Sequence, residues 1–153
     1  MNILISSDHA GFELKNSLVE FLASAGYNVE DMGPSLFDES DDYPDLIAPL
    51  ASKISVAKEG TESMLGIIIG GSGQGEAIVA NRFSGVRAGV FNCDNLELVK
   101  LLREHNDANI IYIGARFVTL DIAKAAVKLF IETEFSHDPR HERRIKEIDI
   151  DCN

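Results

Sequence analysis

Ile67-Ile68-Ile69-Gly70-Gly71-Ser72-Gly73-Gln74-Gly75-Glu76 is the stretch on which the reading of this chain turns. A β-branched run feeds into four glycines, one serine and one carboxylate, and Ala77-Ile78-Val79-Ala80 then reads as the start of a helix. A strand that ends in a glycine-rich turn and opens a helix presents free backbone N–H groups to an anion. The glycines permit close approach and positive φ. A bare phosphate cradle does not favour a carboxylate on its rim, yet Glu76 stands there. Amide donors beside a carboxylate suit a different chemistry, in which a proton is removed while the donors hold the oxyanion that develops. The spacing is not GxGxxG with a distant acid, and no lysine follows as in a P-loop. A tight strand-to-helix turn would by itself also call for glycine.

Outward from that loop, strands and helices alternate. The sequence predicts strands over 2–6, 27–32, 65–69, 86–91 and 109–113. It predicts helices over 12–25, 43–57, 77–83, 95–105 and 120–132, and a charged last helix from Asp138 to about Ile148. Gly26 reads as the stop of the first helix, and Pro44 fits the first turn of the second. Strands separated by helices mean βαβ units and a parallel sheet covered on both faces. The expected fold is therefore α/β: a single-domain, Rossmann-like three-layer sandwich with a five-stranded parallel sheet, spanning residues 1–153. No internal repeat, low-complexity tract or interdomain linker stands out.

Composition narrows the class. The chain has 153 residues and a net charge of −11. That charge argues against nucleic acid or an anionic membrane as a partner. Two cysteines, Cys93 and Cys152, make neither a disulfide framework nor a CxxC motif, which fits a reducing compartment. The N-terminus lacks the basic region and apolar length of a signal peptide, and no run reaches the length of a membrane span. The expectation is a cytoplasmic protein.

Parallel sheets bind ligands beyond the carboxyl ends of their strands. That rule gathers Asp8 and His9 after the first strand, Ser72 and Glu76 after the third, and Arg116 after the fifth. Each residue has a plainer reading. Asp8 can be a helix N-cap, and His9 or Arg116 a surface group. His105, with Asn106 behind it, can make a favourable contact at a helix C-terminus. Arg140 and Arg144 are four apart and share a helical face. They can form a solvated basic face paired with Glu142, Glu147 and Asp149, or a fork of guanidinium groups on a phosphate. His137 and His141 share the same spacing, but Pro139 lies between them and no further ligand set completes a metal site.

Seven motifs occur in order: Ser-Asp-His-Ala-Gly at 7–11, Asp-Tyr-Pro at 42–44, Gly-Gly-Ser-Gly-Gln-Gly-Glu at 70–76, Ala-Asn-Arg at 80–82, Arg-Glu-His-Asn at 103–106, Ile-Gly-Ala-Arg at 113–116 and Arg-His-Glu-Arg-Arg at 140–144. Together they resemble the ribose-5-phosphate isomerase B family, which also includes galactose-6-phosphate isomerase subunits. The resemblance covers almost the whole chain. It implies a cofactor-independent and metal-free aldose–ketose isomerase of the pentose phosphate pathway, acting through a cis-enediolate. The family has two forms, one with a Cys base at the position of Gly70 and one with a Glu just after the loop. This chain resembles the Glu form.

Carried over by position, the resemblance makes Glu76 the proton-shuttling base. The amides of Gly71, Gly73 and Gly75 and the Ser72 hydroxyl hold the enediolate. His105 opens the sugar ring, and Asp8 positions the anomeric hydroxyl. Asn106 binds a sugar hydroxyl, and Tyr43 lines the site. His9, Arg116, Arg140 and Arg144 hold the phosphate. The resemblance also implies a homodimer or tetramer whose sites are shared, with the His105-Asn106-Arg116 segment supplied by the partner. A related isomerase acting on allose or galactose 6-phosphate is the neighbouring alternative. A receiver or nucleotide-binding regulatory module also has five parallel strands. A receiver, however, needs a second acid beside Asp8 and a Lys where this chain has Ile-Gly-Ala-Arg.

Overall fold

The computed structural model describes residues 1–57 and 63–148; Asp149 and Cys152 lie outside the described residues. Among the described residues five strands form one sheet: β1 (Asn2–Ser7), β2 (Asn28–Asp31), β3 (Met64–Gly70), β4 (Ala88–Phe91) and β5 (Ile110–Gly114). All pair in parallel, in the order β2-β1-β3-β5-β4. The fifth strand inserts between the third and fourth, so β3 has neighbours on both sides. That explains its near-unbroken apolar run: a central parallel strand is buried on both faces, and Leu65 to Gly70 are all buried.

Six α-helices are described: α1 (Phe12–Ser24), α2 (Tyr43–Ser55), α3 (Gln74–Ala80), α4 (Glu97–Asn106), α5 (Leu120–Glu132) and α6 (Pro139–Ile148). Alternate strand residues face opposite layers. Ile3, Ile5, Ile67, Ile69, Ile111 and Ile113 pack with Leu18 and Leu22 of α1, Val99 of α4 and Phe130 of α5. Leu4, Ile68, Ile110 and Tyr112 pack on the other face with Ile47, Leu50 and Ile54 of α2 and with Ala77 and Ala80 of α3. Gly66 is small because a Cβ there would lie 2.9 Å from side-chain atoms of Ile110, Ile54 and Leu50. The sixth helix stands outside these layers, against α4.

Local signals set most boundaries. Gly26 follows α1 with φ of 87°, the left-handed turn that glycine favours. Thr119 caps α5, its side chain accepting from the Ile122 amide. Three starts differ from the sequence reading by two residues or more. The fourth strand begins at Ala88 rather than at 86, and α4 at Glu97 rather than at 95. The third helix begins at Gln74, inside the glycine stretch, because Gly73 supplies the left-handed turn (φ 81°) that starts it. Glu76 therefore lies in the first turn of a helix rather than on a loop.

Candidate active site at the carboxyl edge of the sheet

Three strand ends meet at one edge. Asp8 follows β1 and caps a single 3-10 turn over His9–Gly11, its Oδ1 accepting the Gly11 amide at 3.0 Å. Asp8 thus caps this short turn, while Gly11 is the N-cap residue of α1, and the second Asp8 carboxylate oxygen is left for other work. Gly71 follows β3, and Arg116 follows β5. The Arg116 amide donates to the Gly71 carbonyl at 3.2 Å, and a Cβ on Gly71 would lie 3.3 Å from the guanidinium carbon. Arg116 therefore lies over the glycine loop of its own chain, whereas the resemblance implies that the partner supplies it.

Glu76 is the centre of this edge. Its side chain curls back over Gly70, and it is 5% exposed. A Cβ on residue 70 would sit 2.6 Å from the Glu76 Cδ and closer still to Oε1. A side chain at 70 and the carboxylate of Glu76 thus compete for one place, and glycine is what leaves it to the carboxylate. Burial pushes the Glu76 carboxyl above the usual carboxylate range. Its own backbone N–H opposes this, while repulsion by Asp8 and a hydrogen bond that protonated Glu76 donates to Asp8 add to it. The first N–H groups of α3 have no acceptor inside the helix and open on the same edge. Ser72 sits among them, its Oγ accepting the Gln74 amide at 3.4 Å.

Tyr43 opens α2, and its hydroxyl reaches the loop: a Cβ on Gly75 would lie 2.8 Å from that oxygen. His9 stands on the far side of Asp8, with Nδ1 2.6 Å from Asp41 Oδ1. The hydrogen bond to Asp41 raises the His9 pKa above its ordinary value, against the opposing effects of desolvation and Arg116.

His105 and Asn106 are elsewhere. They end α4, and β5 begins at Ile110, so the end of α4 lies beside the amino edge of the sheet. The glycine loop lies beyond the carboxyl edge. The two are separated by the length of β5, about 16 Å for five residues at a rise of 3.3 Å. The His105 ring stacks on His141, with centroids 4.3 Å apart and planes tilted by 43°. His141 is buried and held by the Ser136 hydroxyl and by Arg140, whose Nε donates to its Nε2 at 3.1 Å. Arg140 and Arg144 both lower the pKa of Asp138, after the backbone N–H of Arg140, the first cause. The site residues form two clusters: Asp8, His9, Tyr43, Gly71, Ser72, Gly73, Gly75, Glu76 and Arg116 at one edge, and His105, Asn106, Arg140 and Arg144 at the other. Among the described residues no group of three or more His, Cys, Asp or Glu is placed to hold a metal ion.

Two residues that pack against the first cluster carry no sequence signal. Asp41 lies in the acidic run Asp38–Asp42, which reads as solvated loop. Tyr112 lies within an apolar strand and reads as core. The structure buries it completely beneath Gly73, with its hydroxyl lacking a hydrogen-bond partner among the described residues. Burial and the charges of Glu76 and Asp8 push the Tyr112 hydroxyl far above its ordinary pKa.

A model of the ribose/galactose isomerase family matches residues 3–148, nearly the whole chain. The chain belongs to the ribose/galactose isomerase family. Among this family member's relatives, ribose-5-phosphate isomerase B of Mycolicibacterium paratuberculosis is 41% identical over 145 residues, covering 95% of this chain and 87% of the relative. Ribose-5-phosphate isomerase B of Escherichia coli is 37% identical over 146 residues, covering 95% and 93%. The crystal structure of the Mycoplasma genitalium enzyme with bound ribulose-5-phosphate superposes with a TM-score of 0.88 at 37% identity, covering 97% of this chain and 93% of that one. The α/β sandwich with a five-stranded parallel sheet, expected from the alternation of elements, is the observed fold. No helix among the described residues is long and apolar enough to cross a membrane.

Proposed function

We propose that this family member is a ribose-5-phosphate isomerase, a single-domain cytoplasmic enzyme that works as a homodimer at least. It interconverts ribose 5-phosphate and ribulose 5-phosphate through a cis-enediolate, with no cofactor. The observation that carries the reading is the Glu76 carboxylate, buried over Gly70 in the first turn of α3. A sugar α-proton is barely acidic, so a carboxylate removes it only if the oxyanion is held as it forms. Burial and Asp8 make Glu76 a stronger base than a solvated carboxylate. The amides of Gly71, Gly73 and Gly75 and the Ser72 hydroxyl donate to the enediolate oxygens, and Asp8 and Tyr43 orient the sugar.

The phosphate is held by His9, Arg116, Arg140 and Arg144, with Arg as the planar, always-charged partner. His105 opens the sugar ring and Asn106 binds a hydroxyl. These roles require a second subunit, because His105, Asn106, Arg140 and Arg144 lie at the opposite edge from Glu76. A two-fold dimer brings the amino-edge cluster of one protomer to the carboxyl-edge cluster of its partner, giving two complete sites.

Glu76→Gln tests the base. It keeps shape but cannot accept the proton, so kcat should fall by roughly 10²–10⁴. Deuterium from solvent should enter C2 of the aldose in the parent protein and not in the variant. Cys93→Ala should leave turnover within about twofold, since no step uses a thiol. A fully active Glu76→Gln, or a turnover lost through Cys93, would overturn the assignment.

A further inference from the structure

The 3-10 turn after β1 presents His9 between two other segments. One is the loop over residues 33–42, and the other is the Arg116 turn. The loop is tied down at its root. Lys15 of α1 is 1% exposed, and its Nζ lies 2.5 Å from Asp31 Oδ2 and 3.3 Å from the Pro34 carbonyl. The other Asp31 oxygen accepts the Gly33 amide at 2.9 Å. Further along, the Asp41 amide donates to the Asp38 carbonyl at 3.2 Å, closing a turn. Asp41 is thereby carried inward. Its side chain is only 10% exposed although it sits in an acidic loop, and its Oδ2 is buried with no partner among the described residues. Oδ1 meets His9 Nδ1 at 2.6 Å. The Phe37 ring closes on the imidazole edge-on, with centroids 6.5 Å apart, and packs in turn on Phe12.

An acidic loop facing water does not bury one of its carboxylates without compensation. The compensation here is a single histidine. With Nδ1 engaged by a carboxylate, the ring orientation is fixed and Nε2 is the nitrogen turned to a ligand. We infer that Asp41 is a positioning residue for the phosphate end of the site: it holds the His9 imidazole by Nδ1 and supplies the counter-charge that lets Nε2–H meet a sugar-phosphate dianion. The inference rests on the reading of His9 as a phosphate ligand. The charged groups around the ring are Asp41, Asp8, Asp38 and Arg116. The Asp41 hydrogen bond is the largest of their effects, the three carboxylates favour the cation, and Arg116 opposes it. The cation thus persists above the ordinary histidine value of 6.5. Asp41→Asn keeps the shape and removes the counter-charge.

The test follows the ratio of KM between Asp41→Asn and the parent across pH, with ribose 5-phosphate as substrate. The substrate's own second ionisation, near pH 6, affects both proteins alike and cancels in the ratio. At about pH 5 and below, well under the ordinary histidine value, both forms carry a protonated His9, and the ratio should stay near 1. Above that, the variant loses its cation first, and the ratio should rise by on the order of tenfold, as expected for one lost charge-assisted contact. It should fall again once the parent's His9 has also titrated. Histidine NMR titration should show His9 deprotonating at lower pH in Asp41→Asn than in the parent. Asp41→Glu, which keeps the charge, should recover part of the window. In a His9→Ala background, Asp41→Asn should add nothing to KM. A ratio that is flat with pH, or an unmoved His9 titration, overturns the counter-charge role of Asp41 while leaving His9 in place. A His9→Ala variant with parental KM would instead remove the phosphate reading of His9, and the inference with it.

Discussion

Replacing Gly70 by alanine tests the site through one methyl group. Gly70 lies outside the left-handed region, so alanine suits its backbone. The new Cβ would sit 2.6 Å from the Glu76 Cδ, whereas carbon atoms in ordinary contact lie at about 3.5 Å or more. The carboxylate must therefore retreat by at least about 0.9 Å, the difference between those two distances, since Oε1 lies nearer still to the new Cβ. A displacement of about 1 Å in a group that must meet a particular C–H bond can cost on the order of 10² in rate. We expect kcat to fall roughly a hundredfold while the fold survives, because the contact is with a side chain that can swing outward. The assay is the coupled conversion of ribose 5-phosphate, run beside thermal unfolding. A double-mutant cycle sharpens it: in a Glu76→Gln background Gly70→Ala should cost almost nothing more, because the methyl acts only through that carboxylate. A Gly70→Ala variant with kcat within about threefold of the parent refutes the placement of Glu76 as the base. So does one whose loss is additive with Glu76→Gln.

The Glu76 carboxyl titrates above its unfolded value of 4.5, so its contribution to stability is present in acid and lost as pH rises through the folded value. Glu76→Gln should therefore melt higher than the parent at about pH 8, with the gain vanishing below about pH 4; a lower melting temperature in the alkaline range contradicts this. Tyr112→Phe removes a buried hydroxyl that has no partner among the described residues, a group costing about 1–3 kcal/mol when left unpaired. The variant should melt a few degrees higher, at roughly 2–4 °C per kcal/mol for a chain of this size, and destabilisation would show that the hydroxyl is satisfied. Mixing inactive Glu76→Gln and His105→Ala protomers should restore about a quarter of parental activity, since half the dimers are mixed and each mixed dimer holds one intact site; no recovery after verified subunit exchange would refute the shared site.

Much of the fold and of the site is legible without coordinates where the cause is local. The apolar run from Leu65 to Ile69 ends in glycines, and a strand turning into a helix needs them whatever surrounds it. Thr119 and Gly26 mark helix ends through their own side chain and φ. The seven ordered motifs single out Glu76, His105 and the arginines together. The start of α3 escapes such a reading because glycine has low helical propensity. Only the observed positive φ of Gly73 shows that α3 already begins at Gln74, which puts Glu76 in its first turn.

A parallel α/β sheet, an oxyanion-type loop and a carboxylate beside it could all be read from the chain, because each depends on residues adjacent in it. Strand order is different: β5 pairs with both β3 and β4, a choice made by packing across separate crossovers, which no local period encodes. That order and the return path of α4 put His105 at the far edge, 29 residues from Glu76 in sequence and a full strand length away in space. Asp41 and His9 are 32 residues apart and meet only in the folded chain, where Lys15 pins the root of the loop that carries Asp41. Gly70 reads as a turn residue in the sequence. Its further role, leaving room for a carboxylate six positions on, exists only once α3 has folded the chain back over the end of β3.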